Sequence, residues 1–435
     1  MNPSVEAVGL IGLSVMFLLM FLRVPIAVAM SVPGILGAWY LRGWEPMTTV
    51  LNTVVWSHSY SYTLSTIPMF VLMSELIYLS GISGELFGVF RKWFGALRGG
   101  LALATVGASA IFAAACGSSV ASTATMGIVA SKEMQNAGYS DSLSSGAVVA
   151  GGTLGILIPP STAFIIYGML TEVSIGKLLI AGILPGLLLT LLYMLTVYGA
   201  VLVRPSLGPA VERSSWLDRV MALRSTLWVG ILFVLVIGGM YIGVFSPTEA
   251  AGVGAFGAFI IALIRRRLTW SNLLESLTNT VKVTGFLFAI ILGAFILNYF
   301  LAITRLPAHL AEIISGLGWH PIAIMLVILL LYLFLGAIMD ALAMVVITIP
   351  IILPTVKALG FDLIWFGVIV VVMIEMALIS PPVGMGCFVL QGVNPSLRMG
   401  DIYKGALLFM LPIFVLIALL LAFPEIALLL PEFMD

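Results

Sequence analysis

The sequence predicts an all-helical polytopic membrane protein built as an inverted repeat, and three observations lead to this prediction. Of 435 residues, 61% are hydrophobic and 9% are charged, whereas charged residues make up about a quarter of an ordinary soluble domain. Apolar segments long enough to cross a bilayer recur along the whole chain. Short motifs of the first half return in the second half at a constant offset of 222 residues.

We expect ten full spans, of which two are broken by double prolines that remove amide donors and disfavour helix. The predicted spans lie at about 4–22, 24–42, 63–80, 141–170 (broken), 177–203, 225–243, 248–264, 284–303, 362–391 (broken) and 405–423. Two re-entrant hairpins are expected at 100–135 and 321–357, because each of their arms is too short to cross a bilayer. Amphipathic segments at 46–60 and 269–282 are expected at the membrane interface.

The basic residues predict the orientation. Threading ten spans through a membrane puts fifteen of the nineteen Lys and Arg residues on one side, and only Arg42, Lys177, Arg305 and Lys357 on the other. The basic side is expected to be cytoplasmic, so both termini face the periplasm. The first hairpin then enters from the cytoplasm and the second from outside. No cleavable signal peptide is expected, because Arg23 follows the first apolar run rather than preceding it.

The two halves, 1–224 and 225–435, are expected to be repeats of opposite topology. Pro159-Pro160 pairs with Pro381-Pro382, and Gly138-Tyr139 with Gly360-Phe361, each at an offset of 222. Each half carries five full spans, an odd number, so the second half must be inverted. Inverted repeats with broken helices place a binding site near the membrane centre, at the repeat interface.

The tip of each hairpin supplies candidate ligands. Ser118 and Ser119 lie in a small, hydroxyl-rich stretch, where they could bind a cation or a substrate carboxylate. Alternatively, their hydroxyls only cap the outgoing half-helix. Asp340 occupies the second tip, and an intramembrane carboxylate indicates function by default. It could equally be a capping aspartate.

Residues at the two breaks are further candidates for substrate binding: Pro160 and Ser161 in the first break and Ser380 in the second. Glu75 and Glu375 also lie in apolar segments, and either could carry a proton. A structural role is favoured for both, since a residue near a helix end can reach the interface. Glu249 follows Ser246-Pro247 and is interpreted as a first-turn acid at a helix start.

Composition and motifs exclude other classes of function. The net charge is zero, so no nucleic-acid partner is indicated. No nucleophile with a base, phosphate loop or metal-ligand spacing is evident, so we expect neither an enzyme nor a transition-metal site, and no cofactor. The two cysteines, Cys116 and Cys387, are interpreted as buried free thiols.

Five stretches taken together resemble the large membrane (M) subunit of the TRAP transporters, the tripartite ATP-independent periplasmic, DctM-like family. They are Gly117–Ala121, Gly151–Ser161, Ser246–Ala251, Gly336–Met344 and Pro381–Gly384. The resemblance covers essentially the whole chain. It departs from the family pattern at Ser131–Met134 and at Ala377, and neither departure alters the proposed site.

The resemblance implies a sodium-driven importer of small organic acids in the bacterial inner membrane, working by an elevator mechanism. It implies two protein partners, a small four-span membrane subunit and a periplasmic solute-binding protein. It further implies sodium ions as the coupling ions, bound at the hairpin tips and helix breaks. The matching positions are Gly117, Ser118, Ser119, Gly336, Asp340, Pro381, Pro382 and Gly384.

Three other classes of protein are alternatives to this interpretation. A stand-alone sodium–carboxylate symporter of similar repeat architecture would need no partner. A membrane-embedded enzyme lacks paired catalytic groups at a useful spacing. An ABC permease would need a cytoplasmic segment that couples to an ATPase, for which Arg204–Arg224 is the only sizeable candidate.

Overall fold

The computed structural model describes residues 4–211, 213–336, 339 and 341–434, with only the backbone of residues 58 and 59. Within these ranges the chain forms helices and no strand. The helices of the first half are α1 (Val5–Phe21), α2 (Ile26–Arg42), α3 (Trp44–Ser59), α4 (Thr66–Leu79), α5 (Ile82–Phe94), α6 (Gly100–Cys116), α7 (Ser119–Met126), α8 (Lys132–Asn136), α9 (Asp141–Leu157), α10 (Thr162–Thr171), α11 (Ile175–Ala181) and α12 (Ile183–Val203).

The second half follows a similar order of long and short helices. They are α13 (Trp216–Ala222), α14 (Leu227–Phe233), α15 (Gly239–Tyr241), α16 (Pro247–Ile264), α17 (Trp270–Thr304), α18 (Leu306–Gly316), α19 (Pro321–Gly336), α20 (Ala341–Ala358), α21 (Leu363–Ile379), α22 (Met385–Val393), α23 (Met399–Ala422) and α24 (Glu425–Glu432). Short 3₁₀ turns cover Tyr62–Ser65, Pro205–Leu207 and Leu223–Ser225, and π turns cover Gly127–Ser131 and Val234–Gly238.

The helix bounds repeat at the offset found in the sequence. Helix α9 runs from Asp141 to Leu157, and α21 runs from Leu363 to Ile379, so both ends differ by 222. The segment from the start of α7 to the end of α8 corresponds in the same way to α20. The offset therefore holds for whole elements as well as for motifs.

By length and composition, seven helices of the described chain could each cross a membrane, or eight if the bent pair Trp216–Ser225 and Leu227–Tyr241 forms one span. One of the seven is Asp141–Thr171, which comprises α9, α10 and the four residues between them. Another is α20, so the expectation that each arm of the second hairpin is too short to cross a bilayer is wrong for this arm. Helices α1, α2 and α21 are apolar but only seventeen residues long. The chain is thus a multi-pass membrane protein with fewer long spans than the ten expected.

Helix α17 corrects one expectation. The prediction of a separate interfacial segment at 269–282 is wrong, because this segment belongs to α17, which continues without interruption for 35 residues into the following span. No proline or tight turn separates the two parts, whereas in the first half a 3₁₀ turn at Tyr62–Ser65 divides α3 from α4. Helices α5, α18 and α24 were not expected at all.

The helices form two packed groups. In the first group, α17 packs on α2 and α4, α16 packs on α4, and α1 packs on α2. In the second group, α9 packs on α6, α7, α12, α21, α22 and α23, and α10, α11, α19 and α20 pack on α21. We call the first group the frame and the second group the core.

Helix α16 of the frame begins with the expected acid, since Ser246 and Glu249 form a reciprocal capping box.

Candidate functional site

The tip of the first hairpin is a two-residue turn between α6 and α7. Gly117 ends α6 in the left-handed region at φ +62°, which glycine adopts without steric cost. Ser118 is extended, and its Oγ accepts a hydrogen bond of 3.4 Å from the backbone N of Ala121. Ser118 therefore caps α7, as one of the two interpretations of this residue required.

The first break separates α9 from α10 by four residues, 158–161. It contains the cis Pro159–Pro160 peptide and lies in the protein interior. Ser161 is fully buried and caps α10, because its Oγ accepts from the backbone N of Phe164 at 3.3 Å. Helices α7 and α10 thus both begin at a serine cap.

The tip of the first hairpin rests directly on the first break. A Cβ on Gly117 would come within 2.6 Å of the Pro160 carbonyl oxygen, and one on Gly155 within 2.8 Å of the Ser118 backbone. These approaches require glycine. The Ser119 hydroxyl donates a 2.9 Å hydrogen bond to the Thr153 carbonyl oxygen. Four candidates, Gly117, Ser118, Ser119 and Pro160, are therefore brought together.

The second hairpin approaches the second broken helix. A Cβ on Gly336 would overlap the side chain of Ala377 on α21. A cavity of about 80 Å³ lies beside this contact, lined by Gly336, Met339, Ala341, Ala377, Leu378, Val383 and Met385. Asp340, the candidate at this tip, lies outside the described residues.

The second break begins at Ser380, whose buried Oγ donates to the Ala377 carbonyl oxygen at 3.4 Å. Pro381–Pro382 is a cis peptide, and Gly384 precedes α22 at φ +52°. The Tyr403 hydroxyl on α23 can donate to either of two carbonyl oxygens, that of Pro382 at 2.6 Å or that of Val383 at 3.0 Å. Tyr403 was missed by sequence reasoning, because at the repeat offset it corresponds to Ala181, which has no hydroxyl.

Hairpins and breaks of the two halves also contact each other. Helix α7 of the first hairpin packs on α22, and α20 of the second hairpin packs on α10. A Cβ on Gly127 would lie 2.7 Å from Val393 of α22. The site is thus a junction of both halves, and it lies within the core.

Glu375 corrects another interpretation. It was expected to reach the membrane interface from near a helix end, and this is wrong, because α21 ends in the protein interior at the second break. Glu375 is fully buried, and its Oε1 lies 3.4 Å from the Ser119 hydroxyl. Glu75 differs, since it is half-buried on α4 and Asn279 donates to its Oε2 at 3.4 Å.

A larger cavity of about 490 Å³ opens between the frame and the core. Its lining comes from the 3₁₀ turn before α4, from the α10–α11 connection and from the start of α16. The residues are Ser61, Tyr62, Thr63, Gly168, Met169, Glu172, Val173, Ser174, Ile175, Ser246, Pro247, Thr248 and Phe295. The cavity therefore reaches the C-terminal end of α10, and the N-terminal end of the same helix adjoins the first break.

Residues 13–426 match the family described as "Tripartite ATP-independent periplasmic transporter, DctM component". The chain belongs to this family. It is a transporter permease subunit and not an enzyme.

Relatives along nearly the same length agree with this assignment. The chain is 36% identical to the C4-dicarboxylate TRAP transporter large permease protein DctM of Pseudomonas aeruginosa, over 86% of this chain and 87% of that protein. It is 31% identical to the sialic acid TRAP transporter large permease protein SiaM of Vibrio cholerae, with coverage of 86% and 87%. It is 32% identical to the 2,3-diketo-L-gulonate TRAP transporter large permease protein YiaN of Escherichia coli, with coverage of 85% and 86%.

Two solved transporter structures share the fold at low sequence identity. The YdaH transporter of Alcanivorax borkumensis superposes with a TM-score of 0.64 at 15% identity, over 88% of this chain and 90% of that one. MtrF of Neisseria gonorrhoeae superposes with a TM-score of 0.64 at 12% identity, over 96% and 95%. At these identities the likeness concerns the fold alone.

Proposed function

We propose that this chain is the transport subunit of a sodium-coupled secondary importer of small organic acids, which depends on a solute-binding protein and works by an elevator mechanism. The observation that supports this most is the contact of the first hairpin tip with the first break, where Gly117 meets the Pro160 carbonyl. Irregular backbone at membrane depth persists only where it is buried in protein or lines a cavity. A buried junction of tip and break is therefore suited to binding.

A carboxylate is the solute group that the site would recognise. The N-termini of α7 and α10 carry partial positive charge and free backbone N–H groups. The hydroxyls of Ser118 and Ser161 accept from helix amides, so each can donate its hydrogen to the solute. The hydroxyls of Ser119 and Ser380 would donate on turning away from the carbonyls that they now contact, and Pro160 lines the first junction. The relatives are named for C4-dicarboxylate, sialic acid and diketogulonate, and all three are organic acids.

Sodium is the proposed coupling ion. Hard cations prefer oxygen ligands, and each helix break frees backbone carbonyls that no longer accept within a helix. The proposed positions are Gly117, Ser118 and Ser119 at the first tip, with Gly336 and Asp340 at the second. Pro381, Pro382 and Gly384 would contribute at the second break.

The halves 1–224 and 225–435 are proposed to be inverted repeats with ten full spans. The shared offset of 222 in the bounds of α9 and α21 supports the repeat. The excess of basic residues on one side supports an orientation with both termini in the periplasm.

Movement of the core against the frame is the proposed elevator step. Both hairpins and both broken helices belong to the core, so one rigid motion would carry the whole site. The cavity of about 490 Å³ between frame and core would open the site to the periplasm in this orientation. A small four-span membrane subunit and a periplasmic solute-binding protein are the proposed partners, in the bacterial inner membrane.

Reconstitution tests the proposal directly. Proteoliposomes that contain this chain with both partners should accumulate the solute when sodium is high outside, and collapse of the sodium gradient should abolish accumulation. Transport that survives the collapse and requires ATP would contradict the proposal. Transport by this chain without partners would indicate the stand-alone sodium–carboxylate symporter instead.

A further inference from the structure

Glu375 is exceptional among the buried side chains. Within the described residues it is the only buried acidic or basic side chain, and its exposed fraction is 0%. Its Oε2 has no hydrogen-bond partner among them. Burying an ionised carboxylate without a partner costs many kcal/mol, so buried charges are normally paired or bind a cation. No Lys, Arg or His of the described chain is buried with it.

Neutral oxygen atoms surround this carboxyl. The Ser119 hydroxyl lies 3.4 Å from Oε1 and donates to the Thr153 carbonyl oxygen at 2.9 Å. The Thr153 hydroxyl lies 3.1 Å from the Tyr193 hydroxyl. Three elements, α7, α9 and α21, thus bring oxygen atoms to one point directly beneath the first hairpin tip.

We propose that Glu375 is the charged ligand of a sodium ion held beneath the first hairpin tip, with the Ser119 hydroxyl and the Thr153 carbonyl as neutral ligands. This inference rests on the proposed sodium coupling and adds an anionic ligand at the first hairpin tip. A carboxylate and two neutral oxygens suit a hard cation. Sodium bound there would connect α7 and α9 of the first half to α21 of the second half.

A sodium ion at this site would couple sodium binding to solute binding. Ser119 is the first residue of α7, so an ion on its hydroxyl fixes the start of that half-helix. The helix N-terminus proposed to receive the solute carboxylate would be ordered by the ion. Sodium and solute should therefore stabilise each other's binding.

Thermal unfolding of the full purified chain tests the site, with sodium exchanged for choline at constant ionic strength. A ligand that binds only the folded state raises its melting temperature. Sodium should stabilise the wild type, and Glu375→Gln should need at least about tenfold more sodium for the same stabilisation, as expected for loss of a site residue. Glu75→Gln is the matched control, since it neutralises the other intramembrane glutamate, and it should respond to sodium like the wild type.

A Glu375→Gln protein with the wild-type sodium response would overturn the inference, as would stabilisation that follows pH and ignores sodium. If Glu375→Gln does not fold, Glu375→Asp retains the charge on a shorter side chain. It should fold and require more sodium, and a wild-type requirement would overturn the inference. Failure of the proposed function is distinguishable, because then wild-type uptake itself would not depend on sodium.

Discussion

At the residue scale, the site is held by hydroxyl groups that satisfy freed backbone atoms. Ser118 and Ser161 accept from amides at the starts of α7 and α10. Tyr403 instead donates to the carbonyls of Pro382 and Val383 at the second break. The first break is buried, where an unsatisfied polar group is costly. At the second break Pro382 and Val383 are exposed, and the Tyr403 hydroxyl adds a hydrogen bond that favours one conformation of their carbonyls.

Tyr403→Phe should lower the melting temperature of the protein. The substitution removes only the hydroxyl, so the carbonyls at the second break lose a donor at a cost of about 1 kcal/mol. Tyr198→Phe is the control, because Tyr198 is 51% exposed on α12, and it should leave the melting temperature unchanged. Equal melting temperatures for the two variants would show that Tyr403 does not stabilise the break.

Residue-level prediction succeeded where the signal was local. The capping alternative for Ser118 follows from a serine at the start of a short apolar helix, and the structure has this cap. The burial of Glu375 was not predictable in this way, because it depends on where α21 ends in three dimensions. Tyr403 lies 21 residues after Pro382, and no local pattern links the two.

At the element scale, close packing of α7 on α9 positions the first hairpin. A Cβ on Gly152 would overlap the Thr123 side chain, and one on Gly155 would press on the Ser118 backbone. The glycines of Gly151–Gly155 therefore form the surface on which the hairpin lies. The correspondence between the two halves is incomplete, since α17 is one continuous helix where the first half has the separate helices α3 and α4.

Gly152→Ala should destabilise the protein by about 1–3 kcal/mol, the usual cost of overpacking a buried contact. Gly199→Ala on α12 is the matched control, because a Cβ there meets nothing within 4 Å. That change should be neutral or stabilising by about 0.5–1 kcal/mol, as for Gly→Ala within a helix. Melting temperatures of both variants check this pair, and a more stable Gly152→Ala protein would refute the packing.

At the scale of the whole molecule, the repeat offset predicted most of the element order. The junction of α6 with α7 and the broken pairs α9–α10 and α21–α22 occur near the expected places, because glycine, proline and serine mark them locally. The number of long spans was less predictable, since several core helices are short and are buried by neighbours. Opposite orientation of the two halves is the central proposal, because it would bring both tips to both breaks at mid-membrane.

Topology reporters test this claim most directly. One reporter is fused at Asp435 and another is inserted within Arg204–Arg224, each active on only one side of the membrane. The account predicts opposite signals, periplasmic at Asp435 and cytoplasmic in the connection between the halves, because a second half of five spans would have its two ends on opposite sides of the membrane. Signals from the same side at both positions would contradict the ten-span inverted repeat.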